Sequence, residues 1–266
     1  MLGPVMSGSS WWWTAAGKHP AARDYLRLGH LSPFADGFAD WVRNGYRNLN
    51  RKENKPFSEF RSWRFWALGF GKDALACGVV RDSSDAMGRQ YPLLIMGNGP
   101  MKGWEDQWNL LTLACEETWS RMESLSLNLP DGFSRLEKEI RHGITPPFPE
   151  WSRHAARGES LGEDSGSFEE RASFLERECS AFSGRIDLLI ELDHEPAGDP
   201  ITLAVLWTNF MKRHQEKIPS SLFLGGTSEM AYLAVFHRPL MPSDFVRLWS
   251  VSRGGKPCGA LAARSA

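Results

Sequence analysis

Three short apolar segments in the first half of the chain place the strongest constraint on its fold. They are WRFWAL (63–68), ALACGVV (74–80) and YPLLIM (91–96), and each has the length of a β-strand. The connections between them, GFGKD and RDSSDAMGRQ, are short and rich in Gly, Asp and Ser, which favours antiparallel neighbours. We therefore predict an antiparallel meander over these three segments.

An apolar stripe spaced for a long helix follows the third segment. Its members recur every three or four residues, and this period places side chains on one helix face: Trp104, Trp108, Leu111, Cys115, Trp119, Met122 and Leu125. We predict a helix over 104–125 with this face packed on the sheet. Helix and strand patterns then alternate towards the C-terminus, which predicts an α/β protein with helices layered on a mixed sheet.

Polar residues mark the expected starts of three further helices. Ser32 before Pro33, Asp199 before Pro200, and Ser243 each fit an N-cap position. A helix is also predicted over 168–182 and a strand over 185–193, on the spacing of their apolar residues.

Composition divides the chain into one domain and three atypical stretches. Residues 1–16 are predicted to be a loose N-terminal segment, residues 17–252 a single domain, and residues 253–266 a disordered tail. Residues 143–167 combine Pro, Gly, Ser and charged side chains, which is typical of an exposed connection.

The charge balance and the hydropathy pattern exclude several classes of protein. Lys and Arg number 31 against 32 Asp and Glu, so no basic excess points to a nucleic-acid partner. No apolar run approaches the ~18 residues of a membrane span, and no signal peptide is visible, which favours a cytoplasmic protein. The four Cys are far apart, and Cys77, Cys115 and Cys179 fall on apolar patterns typical of reduced core residues.

No catalytic or metal-binding constellation is visible in the sequence. The patterns HExxH, GxSxG and GxxxxGK[ST] are absent, and no Gly-rich loop has the spacing that cradles a dinucleotide. His194 lies between two carboxylates, yet this favours a solvated strand end over a metal site. We therefore expect no catalytic residue, no metal and no cofactor.

The connection DSSDAMGRQ (82–90) carries the densest polar chemistry in the chain. Asp and Ser side chains stabilise turns by bonding nearby backbone amides, and Gly88 can adopt a positive φ. The same residues permit a binding surface, or a weak anion site on Ser83 and Arg89. Both interpretations stay open. In either case we predict a charge-assisted hydrogen bond from Arg89, with Asp85 as its favoured acceptor.

This connection resembles the signature loop of the TagF (ImpM) family of type VI secretion-associated proteins. The matching string is Ser83-x-Asp85-x-x-Gly88-Arg89-x-Tyr91-Pro92-Leu93. An N-terminal run is also similar to the family's pattern: Gly17-Lys18-His19-Pro20 followed by Asp24-Tyr25-Leu26. Later pieces, including SLFLGG and LAVFHRPLMPSDFVRLW, fall in the family's order, so the resemblance covers about 17 to 250.

The resemblance implies a three-layer αβα sandwich and a non-enzymatic role. Family members are cytoplasmic, post-translational repressors of type VI secretion that act through the FHA-domain scaffold protein. By this resemblance Gly17, Pro20 and Asp24 belong to the family's N-terminal motif.

Two further possibilities concern the site. The rival function is a ligand-binding protein or enzyme that uses Ser83, Asp85 and Arg89. Trp11, Trp12 and Trp13 are candidates for an aromatic contact with a partner, although burial is the alternative fate of such side chains.

Overall fold

The computed structural model describes residues 10–30, 32–52, 59–127, 132–163, 187–192, 199–214 and 217–251. Within these residues eight strands form one sheet in the order β2-β1-β5-β4-β3-β7-β8-β6. The strands are β1 (Trp12–Gly17), β2 (Leu26–Gly29), β3 (Ser62–Leu68), β4 (Ala74–Arg81), β5 (Leu93–Pro100), β6 (Asp187–Leu192), β7 (Ser221–Gly226) and β8 (Ala231–Phe236). The helices are α1 (Pro33–Lys52), α2 (Leu111–Ala114), α3 (Glu116–Leu125), α4 (Gly132–His142), α5 (Trp151–Glu163), α6 (Pro200–His214) and α7 (Pro242–Trp249), with a 3-10 turn at Trp108–Leu110.

Every pair of neighbouring strands among the described residues is antiparallel, so the prediction of a mixed sheet is wrong. The prediction assumed that a strand–helix–strand order gives parallel neighbours. Here α6 links β6 to β7, but β8 lies between those two strands and pairs with both. The predicted pairing of the segments 63–68, 74–80 and 91–96 is confirmed, because β4 pairs with β3 on one side and with β5 on the other.

The strands bury side chains on both faces of the sheet, as alternation along an extended chain requires. On β3, Trp63 and Phe65 belong to a cluster with residues of α1 and α7. Trp66, one position along, belongs to a second cluster with residues of the segment 104–125 and of α6.

The segment 104–125 buries the predicted face but is not one continuous helix. A series of turns and the 3-10 turn precede α2, and Cys115 separates α2 from α3. Trp108, Leu111 and Cys115 are all buried, which confirms the predicted packing. The three-to-four spacing therefore predicted the buried face correctly, but not the continuity of the backbone.

The N-terminal residues are more ordered than the sequence indicated, and the loose segment 1–16 is a wrong prediction for residues 12–16. They lie in β1, which pairs with both β5 and β2. The cause is a cross-strand fit, because Trp13 pairs with Gly97 and its ring occupies the space that a side chain at Gly97 would fill. A Cβ atom there would lie 2.1 Å from that ring.

Two of the three predicted helix caps are confirmed. Ser32 Oγ accepts a first-turn amide of α1 at 3.2 Å, and Asp199 accepts two first-turn amides of α6 at 3.2 and 3.3 Å. Ser243 is not a cap, because α7 begins one residue earlier and the Asp244 carboxylate accepts the Met241 amide at 2.7 Å.

The stretch 143–167, expected to be an exposed connection, is helical over α5. Gly158 of α5 is buried and lies against α6, so this part of the stretch packs on the domain. The predicted strand 185–193 contains β6. The predicted helix 168–182, His194, Cys179 and the C-terminal tail lie outside the described residues.

Cys77 and Cys115 are buried free thiols, as expected for core residues. Burial raises the pKa of the Cys77 thiol, and its hydrogen bond with Cys115 raises that pKa further. Within the described ranges no helix is long and apolar enough to cross a bilayer.

Candidate functional site

The connection between β4 and β5 is a loop closed by its own backbone. Asp85 N donates to Arg89 O at 3.1 Å and Gly88 N donates to Asp85 O at 2.9 Å. Ser84 and Gln90 form an isolated antiparallel bridge. Gly88 has a φ of +76°, which glycine adopts without the steric cost that a Cβ brings. The predicted turn is therefore present, with glycine at the position that needs it.

The Asp85 carboxylate is the centre of this loop. Its Oδ1 accepts the backbone amides of Met87 and Arg89, both at 3.0 Å. Its Oδ2 accepts Arg89 Nε at 2.8 Å and lies 2.9 Å from Lys18 Nζ. The side chain of Asp85 is fully buried. The predicted hydrogen bond from Arg89 to Asp85 is thus confirmed, and both carboxylate oxygens are occupied.

The pKa of Asp85 follows from these contacts. Burial alone would raise it, since desolvation disfavours the charged carboxylate. The hydrogen bonds from Lys18, from the amides of Arg89 and Met87, and from the Arg89 side chain outweigh burial and lower the pKa to about 2. Asp85 is therefore ionised at neutral pH and holds the loop through charge-assisted bonds.

Lys18 joins the N-terminal motif to the signature loop. Its Nζ contacts Asp85 and also donates to Arg89 O at 3.2 Å. Two backbone acceptors of the N-terminal run complete the contact, since Ala86 N donates to Ala22 O at 2.8 Å and Arg89 Nη2 donates to Arg23 O at 2.9 Å. We call this unit the latch: residues 17–25 and 83–91 with Lys18 and Asp85 at its centre.

The three predicted residues of the N-terminal motif all lie in or beside the latch. Gly17 is opposite Leu93 in the β1–β5 register, and Pro20 lines a cleft next to Ser83. Asp24 is exposed, with its Oδ1 3.5 Å from Arg89 Nη2. The structure therefore brings the two motifs together, although residues 26–82 separate them in the sequence.

Sequence reasoning missed His19, a buried residue between Lys18 and Pro20. Its Nδ1 accepts the Ala21 amide at 3.1 Å, so the proton lies on Nε2, which donates to Leu125 O at 3.0 Å. Burial lowers the pKa of His19 from its ordinary 6.5, against the opposing effect of the bond to Leu125. This neutral imidazole fastens the latch to the end of α3.

A cleft of about 460 Å³ borders the latch. Its lining combines polar and aromatic side chains: Pro20, Tyr46, Glu59, Phe60, Arg81, Asp82, Ser83, Ser84, Gln90, Tyr91, Ser126 and Leu127. Asp82 is occupied, because its carboxylate accepts Trp249 Nε1 at 2.7 Å and the Arg61 amide at 2.9 Å. Burial raises the pKa of Asp82, while those hydrogen bonds lower it.

The site that sequence reasoning placed on Ser83 with Arg89 is not assembled as one cavity. Ser83 lines the cleft, whereas Arg89 and Asp85 do not. The guanidinium in the cleft is that of Arg81, which donates through Nη1 to Ser126 Oγ at 2.5 Å and lies 4.5 Å over the Phe60 ring.

The three N-terminal tryptophans lie at the other end of β1 from the latch, about 15 Å away at the rise of an extended strand. Trp13 is buried in the core, which excludes it as a partner contact, and its ring stacks on Trp11 at 5.3 Å. Trp11 Nε1 donates to Pro100 O at 3.2 Å. Trp12 is half-buried, with its ring 5.0 Å from that of His30.

No group of three or more His, Cys, Asp or Glu side chains converges as a metal site in the parts of the chain that the structure describes.

Fold and site together define a mixed α/β protein with an eight-stranded sheet, in which two polar motifs close into one latch. Residues 14–140 match the family model of the TagF N-terminal domain, which is described as type VI secretion system-associated. Over these residues the chain matches the TagF N-terminal domain, and the resemblance drawn from its motifs is confirmed.

Solved structures provide a second comparison. The chain is similar to the crystal structure of PA0076 from Pseudomonas aeruginosa PAO1, with a TM-score of 0.53 and 17% identity. The match covers 89% of this chain and 93% of that chain, and it shows a shared fold. A comparison with curated protein sequences found no match.

Proposed function

We propose that this protein is a non-enzymatic, cytoplasmic repressor of type VI secretion that acts by binding the FHA-domain scaffold protein of the apparatus. The match of residues 14–140 to the TagF N-terminal domain carries this proposal. The partner and the repressive role are implied by the family resemblance.

The geometry of the latch supports binding rather than chemistry at the signature loop. Asp85 is buried, and both of its oxygens are bonded to Arg89, Met87 and Lys18. A general base must be able to reach the proton that it abstracts, and Asp85 has no such access in this arrangement. What the latch offers to a partner is its outer surface, held in one conformation, and pre-organisation of this kind lowers the entropic cost of binding.

The rest of the domain acts in this proposal as a rigid support. The sheet carries a hydrophobic cluster on each face, one with α1 and α7 and the other with α3 and α6. We interpret this two-sided core as a three-layer αβα arrangement. Because β4 and β5 lie within the sheet and both are paired on either side, the loop between them has a fixed base.

One observation favours a second candidate function, the binding of a small ligand. Ser83, Ser84 and Tyr91 line the 460 Å³ cleft, and none of their hydroxyl groups has a hydrogen-bond partner among the described residues. This candidate differs from the original rival, because Asp85 and Arg89 take no part in the cleft. A ligand screen by thermal shift tests it, since a ligand that binds the folded state alone raises the apparent stability.

Two measurements in the protein's own host test the repressor proposal. The first is co-purification of the scaffold protein with this protein. The second is secretion of a type VI marker when this protein is deleted and when it is overproduced. We expect the scaffold to co-purify, secretion to rise on deletion, and secretion to fall on overproduction. Unchanged secretion in both strains, with no apparatus component recovered, would overturn the proposal.

A further inference from the structure

The outer side of the latch exposes apolar side chains on a fixed backbone. Met87, at the loop tip, is 73% exposed, and Tyr25 is 44% exposed. The amide of Met87 is bonded to buried Asp85, so the tip is held in place. A flexible thioether on a rigid loop adapts to the shape of an apolar partner surface, as methionine does at many binding surfaces.

Aromatic contacts extend this surface from the latch to helix α1. The Tyr25 and Tyr91 rings lie 5.5 Å apart, and the Tyr91 and Tyr46 rings lie 5.1 Å apart, both edge to face. Tyr46 also donates to Gln90 O at 3.3 Å. The turn 21–25, the loop tip and the exposed side of α1 therefore form one continuous patch.

The charges around this patch are predominantly positive. Arg43 and Arg47 of α1 are exposed and lie close enough to Tyr91 to influence its ionisation, and exposed Arg23 lies on the turn. Arg43 is paired with Asp40 at 2.9 Å. Arg23 and Arg47 form no ion pair with any residue that the structure describes.

The carboxylates of the patch are already engaged. Asp85 is saturated within the latch, and Asp40 is paired with Arg43. Asp24 lies 3.5 Å from Arg89 Nη2 and reduces the positive charge there, but it forms no ion pair with Arg23 or Arg47 among the described residues. An acidic segment would find two exposed guanidinium groups free to pair with it.

We infer that this surface, formed by Arg23, Tyr25, Arg43, Arg47, Met87 and Tyr91, docks a carboxylate-rich segment of the protein partner, with Met87 and Tyr25 in apolar contact. The inference rests on the proposed function and names the chemistry of the partner. Charge complementarity favours this partner, because its carboxylates can pair with the Arg side chains while an apolar residue among them contacts the Tyr and Met side chains.

Two variants test the surface, and a third serves as a matched control. The tests are the double variant Arg23→Glu/Arg47→Glu and the single variant Met87→Asp. The control, Lys102→Glu/Arg213→Glu, changes the net charge equally at exposed positions distant from the patch. Each variant is first required to match the wild-type unfolding midpoint, which excludes loss of fold as the cause of any effect.

The variants are then compared in the host by repression of a secreted type VI marker, and in solution by their affinity for the purified scaffold protein at about 50 and about 300 mM salt. We expect both test variants to weaken binding by about tenfold or more and to relieve repression, with the control unchanged. The salt dependence of the wild type should be largely lost in the double charge variant, since screening acts on the charges that it removes.

Each alternative outcome has its own meaning. A wild type that represses secretion while all variants bind and repress equally would overturn this surface and leave the proposed function intact. A wild type that neither binds nor represses would overturn the proposed function, and the inference with it. If the wild type sediments with anionic phospholipid vesicles and the double variant does not, the surface binds a membrane. This outcome would overturn the inference of a protein partner.

Discussion

Two glycines of the latch both have positive φ, but only one of them also lacks space for a side chain. Gly17 and Gly88 both have positive φ, +132° and +76°. A Cβ atom at Gly17 would lie 2.1 Å from Pro92 O, a backbone atom, whereas one at Gly88 would meet nothing within 4 Å. Gly88→Ala therefore adds conformational strain alone, and Gly17→Ala adds strain at a φ further from the left-handed helical region together with a steric clash.

The expected magnitudes follow from these two terms. A non-glycine residue at positive φ costs about 1–2 kcal/mol, which is the loss of unfolding free energy expected for Gly88→Ala. Forcing extra volume against a packed neighbour costs about 1–3 kcal/mol more, so Gly17→Ala should lose about 2–5 kcal/mol. The clash cannot be relieved by a rotamer change, because Pro92 O belongs to the backbone at the start of β5.

Urea-induced unfolding, followed by tryptophan fluorescence, measures both losses on the same protein. Equal unfolding free energies for the two variants would refute the reasoning, since both the close approach of β1 to Pro92 and the larger φ of Gly17 should make Gly17→Ala the less stable variant. A Gly17→Ala variant as stable as wild type would also refute it. Thermal unfolding provides an independent check, at about 2–4 °C of midpoint per kcal/mol for a chain of this size.

Three further predictions concern pH and packing. Burial lowers the pKa of His19, so below pH 6.5 the unfolded chain gains a proton before the folded protein does, and wild-type stability should fall. In unfolding titrations, His19→Gln should remove this pH dependence. The stabilising effect of ionised Asp85 should be complete above 3.8 and disappear as the pH falls to about 2, so the stability gap to Asp85→Asn should close in that window. Gly45→Ala should destabilise by about 1–3 kcal/mol, less the gain in helix propensity, because its Cβ would lie 2.3 Å from the Phe245 side chain.

Each of the three has a control or a contrary result. His19→Gln should leave the acid unfolding caused by carboxyl groups unchanged, and a variant that keeps the loss of stability below pH 6.5 would show that another group titrates there. A stability gap for Asp85→Asn that stays constant between pH 3.8 and about 2 would contradict the low pKa of Asp85. Gly37→Ala is the control for Gly45, since nothing lies within 4 Å of its Cβ position on the same helix, and it should be neutral or stabilising.

The fold shows where local sequence patterns are sufficient. The apolar runs that became β3 and β4 predicted their strands almost to the residue, because both faces of each strand are buried. The third run was expected to end at Met96, yet β5 continues through Gly97 and Gly99 to Pro100. The rings of Trp13 in β1 and of Trp11 just before β1 cover these glycines, and such a fit cannot be read from either segment taken alone.

The sequence was sufficient to predict which residues form the candidate loop, but not every contact between them. The loop chemistry correctly indicated that Arg89 pairs with Asp85, since the two are four residues apart in a turn. Lys18 was missed because its contact with Asp85 depends on the pairing of β1 with β5. A lysine in one motif and a buried aspartate in the other were the available signals, but only the sheet brings them within 2.9 Å.

The latch residues point in two directions, so substitutions can separate a structural role of the signature loop from a role in recognition. Asp85 and Lys18 face inward, and their loss would change both stability and the position of the loop. Met87 faces outward, and its loss should change binding alone. If recognition uses the loop, a change at Met87 must therefore weaken binding at constant stability, and a change at Lys18 must weaken both together. A partner that binds a Lys18→Ala variant at full strength, despite its lowered stability, would show that the latch serves the fold and that recognition lies elsewhere.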